Sequence, residues 1–392
     1  MWWSADERRY LHIAGGSAYW NVIDVATGTV THTGIPYGDF SMDGGFDPAD
    51  PNALYYLKGS SIHKVTLNAG GAWTDAVYWT VPGSAALKGL GGTLNWFDAS
   101  GRYMLVRYGP EPSVRLYDRQ NLAAGPYANP INGAPYVDSG AYLGLSPDGQ
   151  FIVGYNDSPG SGFGGGAGAG VSWRIDHTNR VIASGPTTFW TLCGDHGSFL
   201  SASDGRNYMV VSDCYGHNET WRVDITNSAV GLNEDQQRAL PNNKLLFAWP
   251  NWNYGCNHVS TVATGALRDW AFCSTEDGTD VFDGPVSPWS VYRQEILGVN
   301  VLTGEVRRLA HHRSRSIGTD YYSQPHVSVS WRGAVVGFAS NFNQPGGGTP
   351  VVDIYAIPFG AASPNPPNSP SGLKLGKPLM RQGIFPQETT SA

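Results

Sequence analysis

The chain has 392 residues, with 51 glycines, 26 prolines and only 15% charged residues, a composition typical of many short β-strands joined by turns. Its formal net charge of -7 argues against a general nucleic-acid binder, because such proteins bind through a basic surface. No run of about 18 apolar residues occurs, so the sequence predicts no membrane span.

A repeated pair of turns runs along the chain. The first turn, of the S-x-D-G kind between two apolar runs, occurs seven times, at 4–6, 46–50, 98–101, 146–149, 203–205, 264–265 and 331–333. The second, close to V-x-D-x-x-T-G-x-V, occurs six times, at 22–30, 65–71, 116–122, 175–181, 223–230 and 299–306. Each turn joins two predicted strands, so one repeat unit contains two hairpins.

Two hairpins per unit predict a four-stranded antiparallel blade, and seven units predict an all-β fold, a seven-bladed β-propeller. We expect the propeller to cover residues 1–360 and a Pro/Ser-rich linker or C-terminal arm to cover 361–392. The first unit has little room for an inner strand and the last has three strands before the linker. Ring closure is therefore expected to use strands from both ends, or residues outside this sequence.

Residues 160–165 match the G-x-G-x-x-G pattern of dinucleotide-binding proteins. That pattern must follow a strand and open a helix, whereas here it precedes the apparent strand 171–175. We therefore expect no nucleotide cofactor.

The four cysteines lie in two predicted hairpins. Cys193 and Cys214 are nearly equidistant from the first turn of the fifth unit, and Cys256 and Cys273 from that of the sixth. Residues equidistant from an antiparallel turn lie opposite each other and close to disulfide reach. We expect disulfides Cys193–Cys214 and Cys256–Cys273, which would indicate an oxidising compartment.

Two alternatives remain open for these cysteines: buried free thiols, or a zinc site formed by Cys193, His196, Cys256 and His258. The N-terminus lacks the pattern of a signal peptide. We expect an extracellular or secreted protein whose leader is absent from this sequence.

A His-x-Ser motif recurs near the start of the first strand in units five, six and seven, with histidines at 196, 258 and 326. Side chains alternate along a strand, so the histidine and serine of each motif share a face. The first strand of each propeller blade lines the central channel. We expect His196, His258 and His326 to converge at one rim, together with Gln324. The alternative is that these are channel-lining histidines bonded to water or backbone.

The segment that leads to the third motif concentrates positive charge in an acidic protein, which favours an anionic ligand over the alternative of a solvated basic loop. Its charged and titratable residues are Arg307, Arg308, His311, His312, Arg313 and Arg315, followed by Tyr321 and Tyr322. Aromatic residues near the same rim suit sugar rings, although tryptophan also packs blades; they are Trp190, Trp249, Trp252 and Tyr254.

The segments 311–315, 321–326 and 335–341 resemble the last blades of secreted bacterial propellers similar to oligogalacturonate lyases and, more distantly, ulvan lyases. In the oligogalacturonate lyases a metal sits on histidines and a glutamine at the channel mouth and binds the uronate carboxylate. The resemblance covers about the last half of the chain. It implies a divalent metal, Mn, Ca or Zn, on His196, His258, His326 and Gln324.

β-Elimination of a uronate requires neutralisation of the carboxylate charge and a base that removes the C5 proton. We expect the groups that act at the reacting sugar to be His312, Tyr322, Arg313 and Arg315. We expect the residues that contact the glycan to be Asn257, Trp252 and Tyr254. The sequence thus predicts a polysaccharide lyase that cleaves an anionic, uronate-containing glycan. The alternative is a non-catalytic glycan-binding or adhesin propeller on a cell surface or virion.

Overall fold

The structure is a computed structural model. It describes residues 2–12, 19–36, 44–82, 87–89, 96–108, 113–132, 142–155, 170–192, 194–213, 218–249, 256–275, 292–314, 324–341, 353–360 and 373–374. These residues form seven antiparallel sheets that follow one another along the chain. The prediction of a seven-bladed β-propeller is therefore confirmed.

In each blade the strands follow one another from the channel outwards. Blade one contains β1 Arg9–His12, β2 Tyr19–Asp24 and β3 Val30–Pro36. Blade two contains β4 Gly45–Phe46, β5 Ala53–Lys58, β6 Ser61–Leu67 and β7 Trp73–Thr80. Blade three contains β8 Leu87–Gly89, β9 Tyr103–Tyr108, β10 Ser113–Asp118 and β11 Ile131–Asn132.

Blade four has five strands, because both β15 and β16 pair with β14: β12 Tyr142–Leu145, β13 Phe151–Tyr155, β14 Gly170–Asp176, β15 Val181–Ile182 and β16 Thr187–Trp190. Blade five contains β17 Gly194–Ser201, β18 Asn207–Asp213, β19 Glu219–Asp224 and β20 Lys244–Ala248.

Blade six contains β21 Cys256–Thr261, β22 Trp270–Thr275, β23 Glu295–Asn300 and β24 Val306–His311. Blade seven contains β25 Ser328–Val329, β26 Val335–Ser340, β27 Asp353–Pro358 and β28 Leu373–Lys374. A 3₁₀ turn, Arg119–Ala124, follows β10, and the short helix α1, Glu234–Arg238, precedes β20. Within the described ranges, no helix has the length and apolar character needed to cross a membrane.

Local hydrogen bonds explain the turn that recurs between the first two strands of a blade. In blade four the Ser146 hydroxyl donates to the Asp148 carboxylate at 2.6 Å and accepts from the Phe151 amide at 3.0 Å. Gly149 adopts a φ of 71°, a conformation that glycine reaches without steric cost. The S-x-D-G signature thus contains the groups that close its own hairpin.

The hydrophobic core is divided among the interfaces between neighbouring blades. Blades three and four, for example, share a cluster that includes Leu116, Leu143 and Trp173. Comparable clusters lie between the other neighbouring pairs, including blades seven and one. Because each blade buries its faces only against its neighbours, the ring forms one cooperative domain.

The ring closes through side chains between blades seven and one. Trp3 forms an isolated antiparallel bridge with Tyr10, so the segment around Trp3 takes the innermost position of blade one. Its Nε1 donates to the Ser328 hydroxyl at 3.0 Å, and Trp331 Nε1 donates to the Trp3 carbonyl at 2.9 Å. The outer strand of blade seven, β28, comes from beyond residue 360, within the segment expected to be a linker. The extent of that linker stays a prediction.

Candidate functional site

The His-x-Ser motifs of blades five and six lie on the inner strands β17 and β21, and the third ends on β25, with His326 two residues before that strand. Each serine connects its strand to the next blade. The Ser198 hydroxyl bonds to the Thr261 hydroxyl at 2.9 Å. The Ser260 hydroxyl accepts from the Val329 amide at 3.0 Å, and the Ser328 hydroxyl accepts from the indole Nε1 of Trp3 at 3.0 Å. This linking role was not predicted, although the repetition of the serine was its signal.

Two of the three histidines and the glutamine are in contact. The rings of His258 and His326 lie 4.1 Å apart between centroids, at an interplanar angle of 34°. His258 Nε2 donates to Gln324 Oε1 at 2.9 Å. His196 lies on β17, the neighbouring inner strand, but its side chain is outside the described residues. The structure therefore brings together three of the four predicted metal ligands.

The donors of this cluster fit a divalent ion of intermediate softness. The 2.9 Å contact between His258 Nε2 and Gln324 Oε1 is a hydrogen bond, so a metal held by both atoms would have to displace its proton. Imidazole nitrogen with an amide oxygen suits Zn or Mn better than Ca, which prefers a shell of oxygens. Among the described residues no group of three or more His, Cys, Asp or Glu is placed to hold a metal. Any metal would therefore depend on Gln324, on His196, or on both.

A concentration of buried polar side chains begins beside this cluster, between blades six and seven. We call it the polar seam, and its members are Ser274, Thr275, Gln294, Glu295, His312, Ser314, Ser340 and Asn341, all at most 2% exposed. The seam adjoins the histidines, because His258 pairs with Ser274 in the β21–β22 register. Buried polar groups destabilise a protein unless they are hydrogen-bonded, so such a concentration requires an explanation.

His312 has both ring nitrogens engaged within the polar seam. Its Nε2 donates to the Thr275 carbonyl at 2.7 Å, and its Nδ1 accepts from the Ser314 amide at 3.0 Å. Its own amide donates to the Gln294 carbonyl at 3.0 Å. These bonds require the neutral ring with its proton on Nε2 and hold the end of β24 against β22. Removal of a substrate proton by His312 would require one of them to break.

Two arginines of the basic segment, Arg307 and Arg308, lie on β24, the outer strand of blade six, and both are paired with carboxylates. The Arg307 guanidinium donates to Glu305 at 2.7 Å and lies 4.5 Å from the ring centroid of Trp270. Arg308 makes two hydrogen bonds to the buried carboxylate of Glu295. Carboxylates of blade six therefore hold both guanidinium groups, and the expectation that they attract an anion beside the histidines stays a prediction.

Of the remaining predicted residues, two pack the fold, one is exposed, and the others have side chains outside the described residues. Trp190 and Trp249 are buried in clusters between blades, so they pack the fold and do not present a face to a sugar. Arg313 is exposed at the end of the basic segment. Asn257 lies at an irregularity of β21, and its side chain is outside the described residues. Also outside them are Trp252, Tyr254, Arg315, Tyr321 and Tyr322.

The structure forms the predicted disulfide Cys256–Cys273, with 5.4 Å between Cα atoms. The two cysteines are not directly opposite, as equidistance from the turn suggested. A register shift before His258 pairs Cys256 with Thr275 and Cys273 with Val259, so the bond runs diagonally. It excludes Cys256 as a thiol ligand for zinc. The predicted partners Cys193 and Cys214 lie outside the described residues.

Unusual backbone conformations accumulate around the same two blades. Four of the nine described non-glycine residues with positive φ are Tyr292 (69°), Gln294 (53°), Arg313 (51°) and His326 (40°). Such residues are uncommon, and strained backbone gathers at functional sites. The concentration near the histidines marks this end of blades six and seven as the best candidate for a functional site.

Comparisons with known proteins show the fold and no family. No family model and no curated protein match the chain. Among solved structures it is similar to TolB from Acinetobacter baumannii, at 15% identity and a TM-score of 0.41, over 76% of this chain and 62% of that one. It is also similar to hydrazine synthase from Kuenenia stuttgartiensis, at 11% identity and a TM-score of 0.46, over 91% of this chain and 94% of that one.

A puromycin hydrolase in complex with PGG matches at 13% identity and a TM-score of 0.50. The match covers 89% of this chain and half of the hydrolase chain. Identities this low establish the β-propeller fold alone. The resemblance to oligogalacturonate lyases therefore enters only as a proposal.

Proposed function

We propose that this protein is a carbohydrate-active propeller, a polysaccharide lyase that cleaves a uronate-containing glycan at the channel mouth of blades five to seven. The observation that carries the proposal is the contact of His258 with Gln324 and His326. Two imidazoles and a carboxamide, from β21 and from the segment that leads into β25, form a compact set of hydrogen-bonding groups that could also bind a metal.

His258, His326 and Gln324 would hold a divalent metal, with Zn and Mn the best matches and His196 a candidate fourth donor. When bound, such an ion supplies positive charge that neutralises a uronate carboxylate and so acidifies the C5 proton. The chain's own residues orient the sugar and accept the proton. Tyr322, Arg313 and Arg315 remain candidates for that role. We do not assign it to His312, because both of its ring nitrogens are engaged.

The compartment forms part of the same proposal. A disulfide at Cys256–Cys273 suits an oxidising environment, since intracellular thiols are normally kept reduced. A secreted protein would meet polymeric glycans directly. We therefore place the activity outside the cell, with an anionic polysaccharide or oligosaccharide as partner.

A second candidate function is glycan binding without cleavage. It is favoured because Arg307 pairs with Glu305 and Arg308 pairs with Glu295. These carboxylates neutralise two of the arginines that were expected to attract an anionic substrate. A lectin requires only hydrogen bonds and stacking surfaces, whereas a lyase requires a base within reach of C5.

The test is incubation with a panel of galacturonate, glucuronate and mannuronate polymers, followed by the ultraviolet absorbance of the unsaturated product. Each reaction is run with chelator, with added Zn or with added Mn. The variant His258→Ala should abolish product formation, whereas His63→Ala, on a blade-two strand remote from the site, should not. Binding of a polymer without product in any metal condition would establish the lectin instead. Product formation by His258→Ala at the wild-type rate would refute the site.

A further inference from the structure

The carboxamide of Gln294 is the most unusual polar group of the polar seam. Gln294 is 0% exposed, yet neither its Nε2 nor its Oε1 has a hydrogen-bond partner among the described residues. The same holds for the hydroxyl of Ser274, also 0% exposed. A buried carboxamide that satisfies neither its donors nor its acceptor is strongly unfavourable, so native proteins rarely retain one without a use.

Gln294 bonds directly to His312 and is connected to His258 through neighbouring residues of blade six. Its carbonyl accepts from the His312 amide at 3.0 Å, and the next residue, Glu295, donates its amide to the Thr275 hydroxyl at 2.8 Å. Thr275 follows Ser274, which pairs with His258 across β21 and β22. Ser274 on β22 and Gln294 just before β23 therefore lie at the same end of blade six as the contact of His258 with Gln324, one and two strands farther from the channel.

The backbone at Gln294 is held in place at an energetic cost. Its φ of 53° lies in the left-handed region, and Tyr292, two residues earlier, has a φ of 69°. A non-glycine residue in that region is strained, and the surrounding structure must offset the strain. The fold thus holds Gln294 in a fixed position although its side chain makes no bond with the described residues.

We propose that Gln294, together with Ser274, forms a second subsite beside the channel-mouth site and binds a hydroxyl of the sugar. A carboxamide offers a donor and an acceptor, and a hydroxyl is the sugar group that uses both. Both residues are uncharged, so the subsite suits a neutral group, whereas His258, His326 and Gln324 would face the carboxylate. This inference rests on the proposed function and adds to it the residues that select the ring.

The test compares two buried glutamines. Gln237 is 1% exposed and fully bonded: its Oε1 accepts from the Thr191 amide at 2.9 Å, and its Nε2 donates to the Thr191 hydroxyl at 2.6 Å and the Leu232 carbonyl at 3.0 Å. Gln237→Leu breaks these bonds and should lower the melting temperature by several degrees. Gln294→Leu exchanges an unbonded amide for an apolar group and should leave the melting temperature within about one degree, or raise it.

Affinity is then measured by titration calorimetry with trisaccharides of galacturonate, glucuronate and mannuronate, and with their methyl esters. Gln294→Leu and Ser274→Ala should each weaken binding roughly tenfold, the effect of one lost hydrogen bond, and equally for acid and ester. His258→Ala should weaken binding of the acid more than that of the ester. Gln237→Leu should leave the affinity unchanged.

Each other outcome has a distinct meaning. If Gln294→Leu lowers the melting temperature as much as Gln237→Leu, the carboxamide supports the fold and the inference fails. If His258→Ala loses binding while Gln294→Leu keeps it, the inference alone fails and the proposed site stands. A loss confined to the acids would show that Gln294 contacts the carboxylate, which contradicts the hydroxyl assignment. If the wild-type protein binds none of the sugars, the proposed function and the inference both fail.

Discussion

Removal of the Cys256–Cys273 disulfide should destabilise the protein and weaken the site together. The bond spans 17 residues of sequence. In the chain-entropy model, closing a loop of that size raises the free energy of the unfolded chain by about 3 kcal/mol. For a chain of this length the loss corresponds to roughly 4 °C in melting temperature. Both cysteines are buried between blades five and six, so reduction frees the unfolded chain without removing packed atoms.

The assay uses a Cys193→Ala/Cys214→Ala background, which leaves one pair of cysteines in the chain. Denaturant unfolding of this first variant is followed with and without reductant. The same comparison is made for a second variant, Cys256→Ala/Cys273→Ala. Reductant should lower the stability of the first variant by about 3 kcal/mol. Because Cys256 lies two residues before His258, reduction should also lower sugar affinity. Equal stability with and without reductant in the first variant would refute the reasoning. The second variant tests the other predicted disulfide, Cys193–Cys214, in the same way.

Three further predictions concern other parts of the ring. Burial lowers the pKa of His12 from 6.5 to about 4, so the unfolded chain takes up that proton first and stability falls as the pH drops from about 6.5 towards 4. The loss is about 2 to 3 kcal/mol at pH 4.5, and unfolding curves of His12→Gln at pH 7 and 4.5 should lack it. Gly197→Val should destabilise by about 1 to 3 kcal/mol in a thermal melt, because a Cβ there would lie 2.4 Å from Met209 Cε and 3.0 Å from the Val210 carbonyl. An unchanged melting temperature would contradict that packing. Ser260→Ala should cost about 1 kcal/mol in denaturant unfolding, since it removes the acceptor of the inter-blade bond to blade seven, and a neutral result would count against the serine links.

Much of the fold follows from the sequence, because the signals of a propeller are local. The Ser146–Asp148 pair and Gly149 make their turn from groups within five residues, and the same pattern repeats in other units. Hydrogen bonds of this kind form whatever the distant chain does. The number of blades, the inner position of the His-x-Ser strands and the pairing of Cys256 with Cys273 could therefore be predicted from spacing.

Tertiary structure alone decided which candidate residues are buried and which groups their side chains bond to. Ring closure depends on Trp3 and Ser328, which are 325 residues apart, and no local pattern indicates that contact. His312 looked like a base in the sequence, but the Thr275 carbonyl, 37 residues away, engages its Nε2. Gln294 gave no sequence signal, because whether its carboxamide finds a hydrogen-bond partner among the described residues depends on which side chains surround it. Hydrogen bonds within a turn are encoded by neighbouring residues, whereas burial and the pairing of side chains depend on which blades the closed ring brings together.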